Sequence, residues 1–294
     1  MIGVLAPRIG RVRHHAPRRL RIPEHYQTLA GLPAPPVVSL VTPARNAASF
    51  LERTLLSVAV QAYPALEYIV QDGGSTDGTR EILRRHPDIV TRWESTPDAG
   101  QAAALNRAFA RTTGEIMGYL NADDILLPGS LHYVARAFAE RPDVDVVYGH
   151  RILIDENDRE IGRWVLPPHD DTALAWSDYI PQETLFWRRR LWECVGGNFD
   201  ERYDIALDWE LLLRFRSVRA QFVRLPRFLG AFRIHGAQKT ALRFNSTGRQ
   251  EMARLRARVA GRAVSRFEAA LRTTPYLARH LVHHGLYRLG LVRY

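Results

Sequence analysis

The stretch Ile116-Met117-Gly118-Tyr119-Leu120-Asn121-Ala122-Asp123-Asp124 is the most informative part of this sequence for the fold. Its first half has the continuous apolar character of a buried strand, and two carboxylates follow almost at once. The same design occurs about fifty residues earlier, where the apolar run 66–71 leads into Asp72 and a glycine-rich turn over 73–79. Because the carboxyl ends of parallel strands meet at one ligand-binding edge of an open α/β sheet, both segments predict a ligand site there.

The surrounding pattern predicts an α/β fold with a mostly parallel sheet, because strand and helix patterns alternate along the chain. The expected strands cover 37–42, 66–71, 89–93 and 115–120, with helices through Leu51, Leu55 and Val58 and near 79–86 and 101–111. Pro43 is expected to end the first strand. A further strand at 144–148 should precede a separate hairpin with arms at 151–154 and 161–166.

Length and cysteine content indicate the class of protein. A chain of 294 residues suits one large α/β domain with tails. The single thiol, Cys194, excludes an internal disulfide framework and a cysteine-rich metal cluster, which suits a reducing compartment. Because the sequence has neither the apolar core of a signal peptide nor a membrane-spanning apolar run, we expect a cytoplasmic protein.

The net charge of +10 is concentrated at the two ends of the chain. Residues 1–36 hold six arginines and one glutamate, and residues 243–294 hold eleven arginines and two glutamates, which leaves the middle near −4. This distribution predicts a basic leader over 1–36, an α/β domain over 37–242 and a basic helical C-terminal extension over 243–294. An acidic middle argues against a groove for a nucleic-acid backbone, so no nucleic acid is expected as a partner.

The C-terminal extension has helical periodicity. Leu277, Leu281, Leu286, Leu289 and Val292 recur at roughly helical spacing, with arginines between them. A basic amphipathic helix of this kind could lie on the anionic inner face of the plasma membrane, as a peripheral contact. It could equally pack on the α/β domain or on a partner chain.

The turn after the fourth strand predicts a cation site. The neighbouring carboxylates of Asp123 and Asp124 repel each other unless a cation or hydrogen-bond donors compensate. Oxygen ligands at low number suit Mg²⁺ or Mn²⁺ completed by substrate phosphates. The alternative is that Asp124 caps the local turn. The turn over 73–79 has no P-loop or dinucleotide-binding spacing and could be ordinary turn chemistry.

Several stretches, in order, resemble glycosyltransferase family 2, whose members are inverting enzymes of the GT-A fold. They are 38–46, 61–64, 67–79, 98–106 and 120–124 in the first half, and 180–189, 195–197, 199–201, 208–214 and 232–235 in the second. The resemblance covers roughly 200 of the 294 residues and leaves both basic ends outside it. It implies a nucleotide-binding parallel sheet flanked by helices, followed by a mixed acceptor-side half.

Carried over residue by residue, the resemblance implies a nucleotide-sugar site and a metal. The implied donor-binding residues are Thr42, Pro43, Asn46, Asp72, Asp98, Gln101, Asn106, Asn121, Ala122, Asp123 and Gln182. Asp123 would hold Mn²⁺ or Mg²⁺ on the donor diphosphate, with Asp124 and His235 as further candidate ligands. Two positions depart from the family pattern, because Asn121 and Gly73 stand where members often have aspartates. Gln182 and His235 also have structural alternatives, as interior hydrogen-bonding side chains.

The resemblance assigns the general base to Asp208. Displacement at an anomeric carbon requires a group that takes the proton of the acceptor hydroxyl, and a carboxylate within hydrogen-bond reach can do so. Members often have an acid just before this aspartate, where this chain has Leu207. The assignment therefore rests on the context 208–214, and Asp208 could instead cap the helix that follows.

The resulting expectation is a metal-dependent inverting glycosyltransferase of cell-surface polysaccharide assembly. Its donor would be a UDP-, GDP- or dTDP-sugar, and its acceptor a hydroxyl of a glycan or a lipid-linked molecule. The rival hypotheses are a nucleotidyltransferase, a nucleic-acid or membrane-binding protein that uses the basic tails, and a sugar-nucleotide binder without turnover.

Overall fold

The computed structural model describes residues 15–27 and 31–294. The strands are β1 Arg18–Arg19, β2 Val38–Ala44, β3 Leu66–Asp72, β4 Arg92–Ser95, β5 Ile116–Tyr119, β6 Ile125–Leu126, β7 Val146–Ile154, β8 Arg159–Trp164, β9 Phe186–Arg188 and β10 Phe222–Arg233. The helices are α1 Leu51–Ala59, α2 Thr79–Arg85, α3 Gln101–Phe109, α4 Ser130–Glu140, α5 Asp171–Leu174, α6 Arg189–Cys194, α7 Leu207–Ser217, α8 Lys239–Arg243, α9 Arg249–Ala260 and α10 Arg266–Arg288. Short 3₁₀ turns cover Glu24–Tyr26 and Gln182–Thr184, and a π-helical turn covers Phe244–Gly248.

These strands form one mixed sheet in the order β1-β8-β7-β9-β5-β2-β3-β4, with β10 paired to β7 and β6. Strands β2, β3, β4 and β5 are parallel, as the alternating pattern predicts. Strand β9 runs antiparallel between β5 and β7 and begins the mixed half. Along β2 and β3, alternate side chains enter two separate apolar clusters, so both sheet faces are buried.

The register brings the polar turns together. Val41 of β2 lies opposite Tyr119 at the end of β5, and Ala44 lies opposite Asp72 at the end of β3. The chain therefore leaves all three strands at the same edge of the sheet. The turns 45–50, 73–79 and 120–124 all start there, as expected for an open parallel sheet.

Three predicted strand limits were wrong. Strand β2 does not end at Pro43 but continues to Ala44, because β5 pairs with β2 only as far as Val41. On that side the missing N–H of Pro43 therefore removes no ladder hydrogen bond. The predicted strands at 144–148 and 151–154 are one continuous strand, β7, held along most of its length by β10. Strand β4 begins at Arg92, three residues later than Ile89, because 87–89 form a turn.

The C-terminal extension packs on the α/β domain. Leu255 of α9 is fully buried, and Tyr276 and Leu277 of α10 are nearly so. The side chain of Ser265 caps α10 by accepting a hydrogen bond from the Glu268 N–H, at 3.1 Å. Among the residues that the structure describes, no helix is long and apolar enough to cross a membrane.

A neutral histidine cluster beneath α10 carries a pH prediction. Burial lowers the pKa of His280 to about 4 and that of His150, on β7, well below its usual value. In the unfolded chain His280 binds a proton near pH 6.5, whereas in the folded protein it stays neutral down to about pH 4. Between these two pH values protonation favours the unfolded state, so the free energy of unfolding falls as the pH falls. We expect a His280→Gln variant to lose less stability than the wild type between pH 7 and pH 5, by about 1–2 kcal/mol.

Urea unfolding of both proteins at the two pH values measures this difference. The comparison between proteins is needed because burial raises the pKa of Asp124 and Asp178, whose effect on stability has the opposite sign. An identical pH dependence of wild type and variant would contradict the prediction.

Candidate active site

A cavity of about 940 Å³ opens at the edge of the sheet where β2, β3 and β5 end. Its walls come from both halves of the chain and from the C-terminal extension. Among the residues lining it are Pro43, Asn46, Asp98, Gln101, Asn121, Ala122, Asp123, Arg151, Asp178, Gln182, Asp208, His235, Lys239, Arg243, Arg249, Arg256 and Arg266. Most of the predicted site residues are therefore brought together in one place.

Asp123 and His235 form a pair at this cavity. Oδ2 of Asp123 and Nε2 of His235 lie 3.0 Å apart. The imidazole is held by Phe50, whose ring centre is 4.6 Å from its own. The buried Arg233 fixes the turn from behind by donating through Nε to the Asp123 carbonyl, at 2.8 Å. A carboxylate oxygen and an imidazole nitrogen at this spacing suit a Mn²⁺ ion better than Mg²⁺.

Asp124 is not brought to the cavity. Its Oδ1 accepts a hydrogen bond from the Arg233 N–H at 2.9 Å, and its Oδ2 is buried without a hydrogen-bond partner in the described part of the chain. Burial, together with the charges of Asp123 and Glu183, raises the pKa of Asp124 well above its usual range. Asp124 is thus a buried acid that ties β10 to the turn, and of the three predicted metal ligands only Asp123 and His235 face the cavity.

A chain of amides fixes Asn121 at the floor of the cavity. Gln101 Nε2 donates to Asn121 Oδ1 at 2.8 Å, and Asn121 Nδ2 donates to Gln182 Oε1 at 3.0 Å. Gln182 Nε2 in turn donates to the Tyr119 carbonyl at 2.6 Å. An ionised aspartate at position 121 could accept from Gln101 but could not donate to Gln182. This network explains why an asparagine fits where the family often has an aspartate.

The turn after β3 lies behind two residues that line the cavity, Asn46 and Asp98. Asn46 donates its backbone N–H to Ser75 Oγ at 2.7 Å and accepts at Oδ1 from the Thr76 N–H at 3.0 Å, which joins the turns after β2 and β3. A Cβ atom at Gly73 would lie 2.6 Å from Asp98 Oδ2. Gly73 therefore leaves the space in which the Asp98 carboxylate sits, and an aspartate at position 73 would displace it.

Three further predicted donor-binding residues lie outside the cavity lining. Thr42 is fully buried, with its hydroxyl 2.9 Å from that of Tyr68. Asp72 is fully buried and accepts hydrogen bonds from Ser75 and Ser95, so it shapes the turn. Asn106 bonds the backbone of Phe199 in both directions, at 3.0 and 2.7 Å, and so anchors the loop that follows α6. Sequence motifs could not separate these supporting residues from lining ones.

Asp208 lies in the first turn of α7 and lines the cavity. Its Oδ1 accepts a hydrogen bond from the Trp209 N–H at 2.8 Å. Burial raises the pKa of Asp208 to about 6, while backbone hydrogen bonds and the positive charges of Arg151 and Lys239 oppose the rise. Just above pH 6 this carboxylate is mostly ionised, yet basic enough to take a proton. That is the property a general base needs near neutral pH.

The sequence prediction missed a second acid, Asp178, at the same cavity. Burial, reinforced by the charge of Asp208, raises the pKa of Asp178 well above its usual range, and its Oδ1 has no hydrogen-bond partner among the described residues. The cationic neighbour Arg151 is held by Glu183 through two hydrogen bonds, one of them 2.7 Å long. No local sequence motif marks Asp178. Its position in the cavity wall depends on α7, α9 and α10, which come later in the chain.

Lys239 was also missed, although composition could have found it. It is the single lysine in a sequence with 41 basic residues. Its Nζ donates to Gln101 Oε1 at 3.2 Å and to the Asp204 carbonyl at 2.6 Å, while Arg243 pairs with the Asp204 carboxylate at 2.6 Å. These contacts join α8 to the start of α3 and put positive charge beside the amide chain.

A cation-binding pair and a proton-accepting carboxylate therefore line the same cavity. Asp123 and His235 can bind a cation, and no larger group of metal-binding side chains occurs among residues 15–27 and 31–294. Asp208 can accept a proton from a hydroxyl group. The cavity is large enough to hold a nucleotide-sized ligand with a second molecule beside it.

Comparison with known families gives a clear match. The family model described as "Glycosyl transferase family 2" matches residues 39–200, more than half of the chain. An uncharacterized glycosyltransferase of Nostoc sp. is 28% identical over 233 residues, covering 73% of this chain and 70% of that protein. A PGL/p-HBAD biosynthesis glycosyltransferase of Mycobacterium bovis is 32% identical over 195 residues, covering 65% of this chain and 74% of that protein. The O-antigen biosynthesis protein RfbC of Myxococcus xanthus is 31% identical over 199 residues, which cover 66% of this chain but only 16% of RfbC.

Solved structures share the fold. Residues 1–349 of TarS from S. aureus, in complex with UDP-GlcNAc, align with a TM-score of 0.62 at 19% identity, covering 84% of this chain and 73% of that chain. The mannosyltransferase PcManGT from Pyrobaculum calidifontis, in complex with GDP-Man and Mn²⁺, aligns with a TM-score of 0.61 at 21% identity, covering 91% of this chain and 84% of that chain. These likenesses confirm the predicted GT-A arrangement of the α/β fold.

Proposed function

We propose, from the premise that this chain belongs to glycosyltransferase family 2, that it transfers a sugar from a nucleotide-diphosphate donor to a hydroxyl group with inversion at the anomeric carbon. The acceptor would be a glycan or a lipid-linked molecule. Relatives are named for O-antigen and PGL/p-HBAD biosynthesis, so we place the reaction in the assembly of a cell-surface polysaccharide or glycolipid.

The observation that carries this proposal is the presence of Asp208 and the Asp123–His235 pair at one cavity. In the proposed reaction Asp208 takes the proton of the acceptor hydroxyl, whose oxygen forms a bond to the anomeric carbon. The bond from that carbon to the diphosphate oxygen breaks, and the nucleoside diphosphate leaves with the electron pair. Attack on the face opposite the leaving group gives inversion.

Asp123 and His235 are the residues that would hold a divalent cation, and Mn²⁺ suits this pair of ligands. When bound, such a cation offsets negative charge on the departing diphosphate. The chain's own groups orient the substrates: the amide chain through Asn121 fixes the floor, and Lys239 adds a positive charge beside it. Arg151, held by Glu183, lowers the pKa of Asp208 from the value that burial alone would give.

The test is a thermal-shift measurement on the whole chain with UDP, GDP, dTDP and CDP, each with and without Mn²⁺. UDP and GDP come first, because the structural neighbours were solved with UDP-GlcNAc and GDP-Man. A nucleotide at about 100 times its Kd should stabilise the protein by roughly 2.7 kcal/mol. No shift with any nucleotide would contradict a donor site.

The cation site has its own prediction. Replacing Asp123 by Asn should reduce the Mn²⁺-dependent part of the nucleotide shift, with about a tenfold or greater rise in nucleotide Kd, because one of two ligands loses its charge. Asp88→Asn is the matched control, since Asp88 is exposed and lies outside this cavity. Calorimetric titration of nucleotide into each variant, with and without Mn²⁺, measures the nucleotide Kd of both proteins. An Asp123→Asn protein with unchanged Mn²⁺ dependence would rule out this ligand assignment.

A further inference from the structure

Helix α10 exposes a row of large apolar side chains. Phe267 is 79% exposed, Leu271 63%, Leu281 71% and Val282 64%, and Leu289, directly after the helix, is 76% exposed. Isolated exposed apolar residues are ordinary, but two groups of them on one element, at 267/271 and at 281/282/289, indicate an interaction surface. We call this row the α10 stripe.

The stripe occupies one face of the helix. At 100° per residue, its members fall within about a 100° sector around the helix axis. The residues that pack on the domain, Ala269, Thr273, Tyr276 and Leu277, are buried and lie on the opposite face. The helix therefore has two apolar faces, one used for folding and one directed to solvent. No part of the chain that the structure describes covers the solvent-facing apolar side chains.

Unpaired positive charge lies at both ends of the α10 stripe. Arg266, Arg288 and Arg293 are exposed, and none has an acidic partner within 4 Å in the described part of the chain. The only acid in α10, Glu268, is already paired with Arg262 and Arg272, at 2.7 and 3.5 Å. A second copy of this chain would bring the same unpaired arginines together. The charge therefore favours an anionic occupant over a dimer.

The same helix forms part of the cavity wall. Arg266, Ala269, Ala270 and Thr273 line the cavity, within one helical turn of Phe267 and Leu271 in the stripe. A surface lying against the stripe would therefore be across the helix from Ala269 and Thr273, one helix diameter (~10 Å) from the cavity wall. A helix of 23 residues is about 35 Å long, so the contact would extend well beyond the cavity edge.

We propose that the α10 stripe lies in the interface of an anionic lipid bilayer, with its apolar side chains among the upper acyl chains and its arginines at the phosphate groups. Such a helix lies in the plane of the interface and does not span it. The contact would hold the cavity about one helix diameter from the lipid surface. It is independent of the reaction catalysed, so failure of one proposal leaves the other standing.

The experiment is co-flotation of the whole chain with phosphatidylcholine vesicles that contain phosphatidylglycerol, and with vesicles of phosphatidylcholine alone. We expect binding to the anionic vesicles, and at least about a tenfold lower partition coefficient for Leu271→Glu/Leu281→Glu, which places two charges in the apolar layer. The matched control is Leu56→Glu/Val60→Glu, which adds the same charges at exposed apolar positions elsewhere. It should change partition less than twofold, by about the charge effect alone.

A second variant tests the arginines. Arg288→Gln/Arg293→Gln should reduce binding by about fivefold for each arginine, and added salt should reduce wild-type binding in the same direction. Thermal melting of every variant verifies that it folds. Absence of wild-type flotation, equal flotation of the stripe variant, or equal binding to neutral vesicles would overturn the proposal. A concentration-dependent dimer in light scattering that the stripe variant abolishes would also overturn it.

Discussion

Replacing Asp208 by Asn is expected to lower the turnover number by about 10²–10⁴-fold, the usual cost of removing a positioned general base. The side chain keeps its size, and an amide oxygen can still accept the Trp209 N–H, so the fold should be preserved. Sugar release and nucleotide release, measured with the donor that binds, give the rate. Because the structure records no hydrogen bond between Asp208 and either Asp123 or His235, nucleotide affinity should change little.

The pH dependence of kcat/KM tests the role of Asp208 independently. With the pKa of Asp208 near 6, kcat/KM of the wild type should fall about tenfold per pH unit below that value. The residual activity of the Asn variant should lack this limb. Asp171→Asn is the control, since Asp171 is an exposed acid in the first turn of another helix. Full activity in the Asp208→Asn protein would remove Asp208 from the mechanism.

Replacing Glu251 by Ala is expected to lower the free energy of unfolding by about 2–4 kcal/mol, because one buried and two part-buried N–H donors lose their acceptor and a buried donor left without one costs about 1–3 kcal/mol. Glu251, on α9, is 4% exposed. Its carboxylate accepts hydrogen bonds from the backbone N–H groups of Asp204, Ile205 and Ala206, at 2.8, 2.9 and 2.9 Å. These residues lead directly into α7, so one side chain of the C-terminal extension holds the approach to Asp208.

Urea unfolding measures the loss of stability. Glu251→Gln should have an intermediate effect, because the amide keeps one acceptor oxygen. Gln250→Ala is the local control, as Gln250 is the exposed neighbour on the same helix. Under conditions where the Glu251→Ala protein is still folded, turnover should also fall, since the approach to α7 is no longer fixed. A loss of stability no larger than that of Gln250→Ala would show that the three N–H groups find other acceptors.

The sequence predicted those features that repeat locally. Alternating strand and helix patterns were sufficient for the parallel core, and acids at strand ends located the cavity edge. The order of the family motifs identified the family, and the positions of Asp123, His235 and Asp208 at one cavity follow from that order. Each of these patterns lies in a short stretch of neighbouring residues, so the sequence alone is sufficient to predict the feature.

The remaining features depend on contacts between distant residues. Asp123 and Asp124 are adjacent in sequence, yet only the first faces the cavity, and the backbone of β10 decides which one. Asp178 and Glu251 show no motif, because their surroundings come from segments far away in the chain. Pro43 was misjudged since its tolerance depends on where a neighbouring strand ends. The extents of the leader and of the C-terminal extension stay predictions.

The wall contributed by α9 and α10 has a consequence for how relatives of this protein should be compared. The family model matches residues 39–200 and the resembling stretches end at residue 235, whereas Arg249, Arg256 and Arg266, further along the chain, line the cavity. Two relatives can therefore be nearly alike over the shared stretches and still enclose this cavity with different walls. Sequence similarity measured over the shared stretches does not report on the part of the cavity wall that α9 and α10 supply. Exchanging the segment beyond residue 243 between relatives would show what this wall selects.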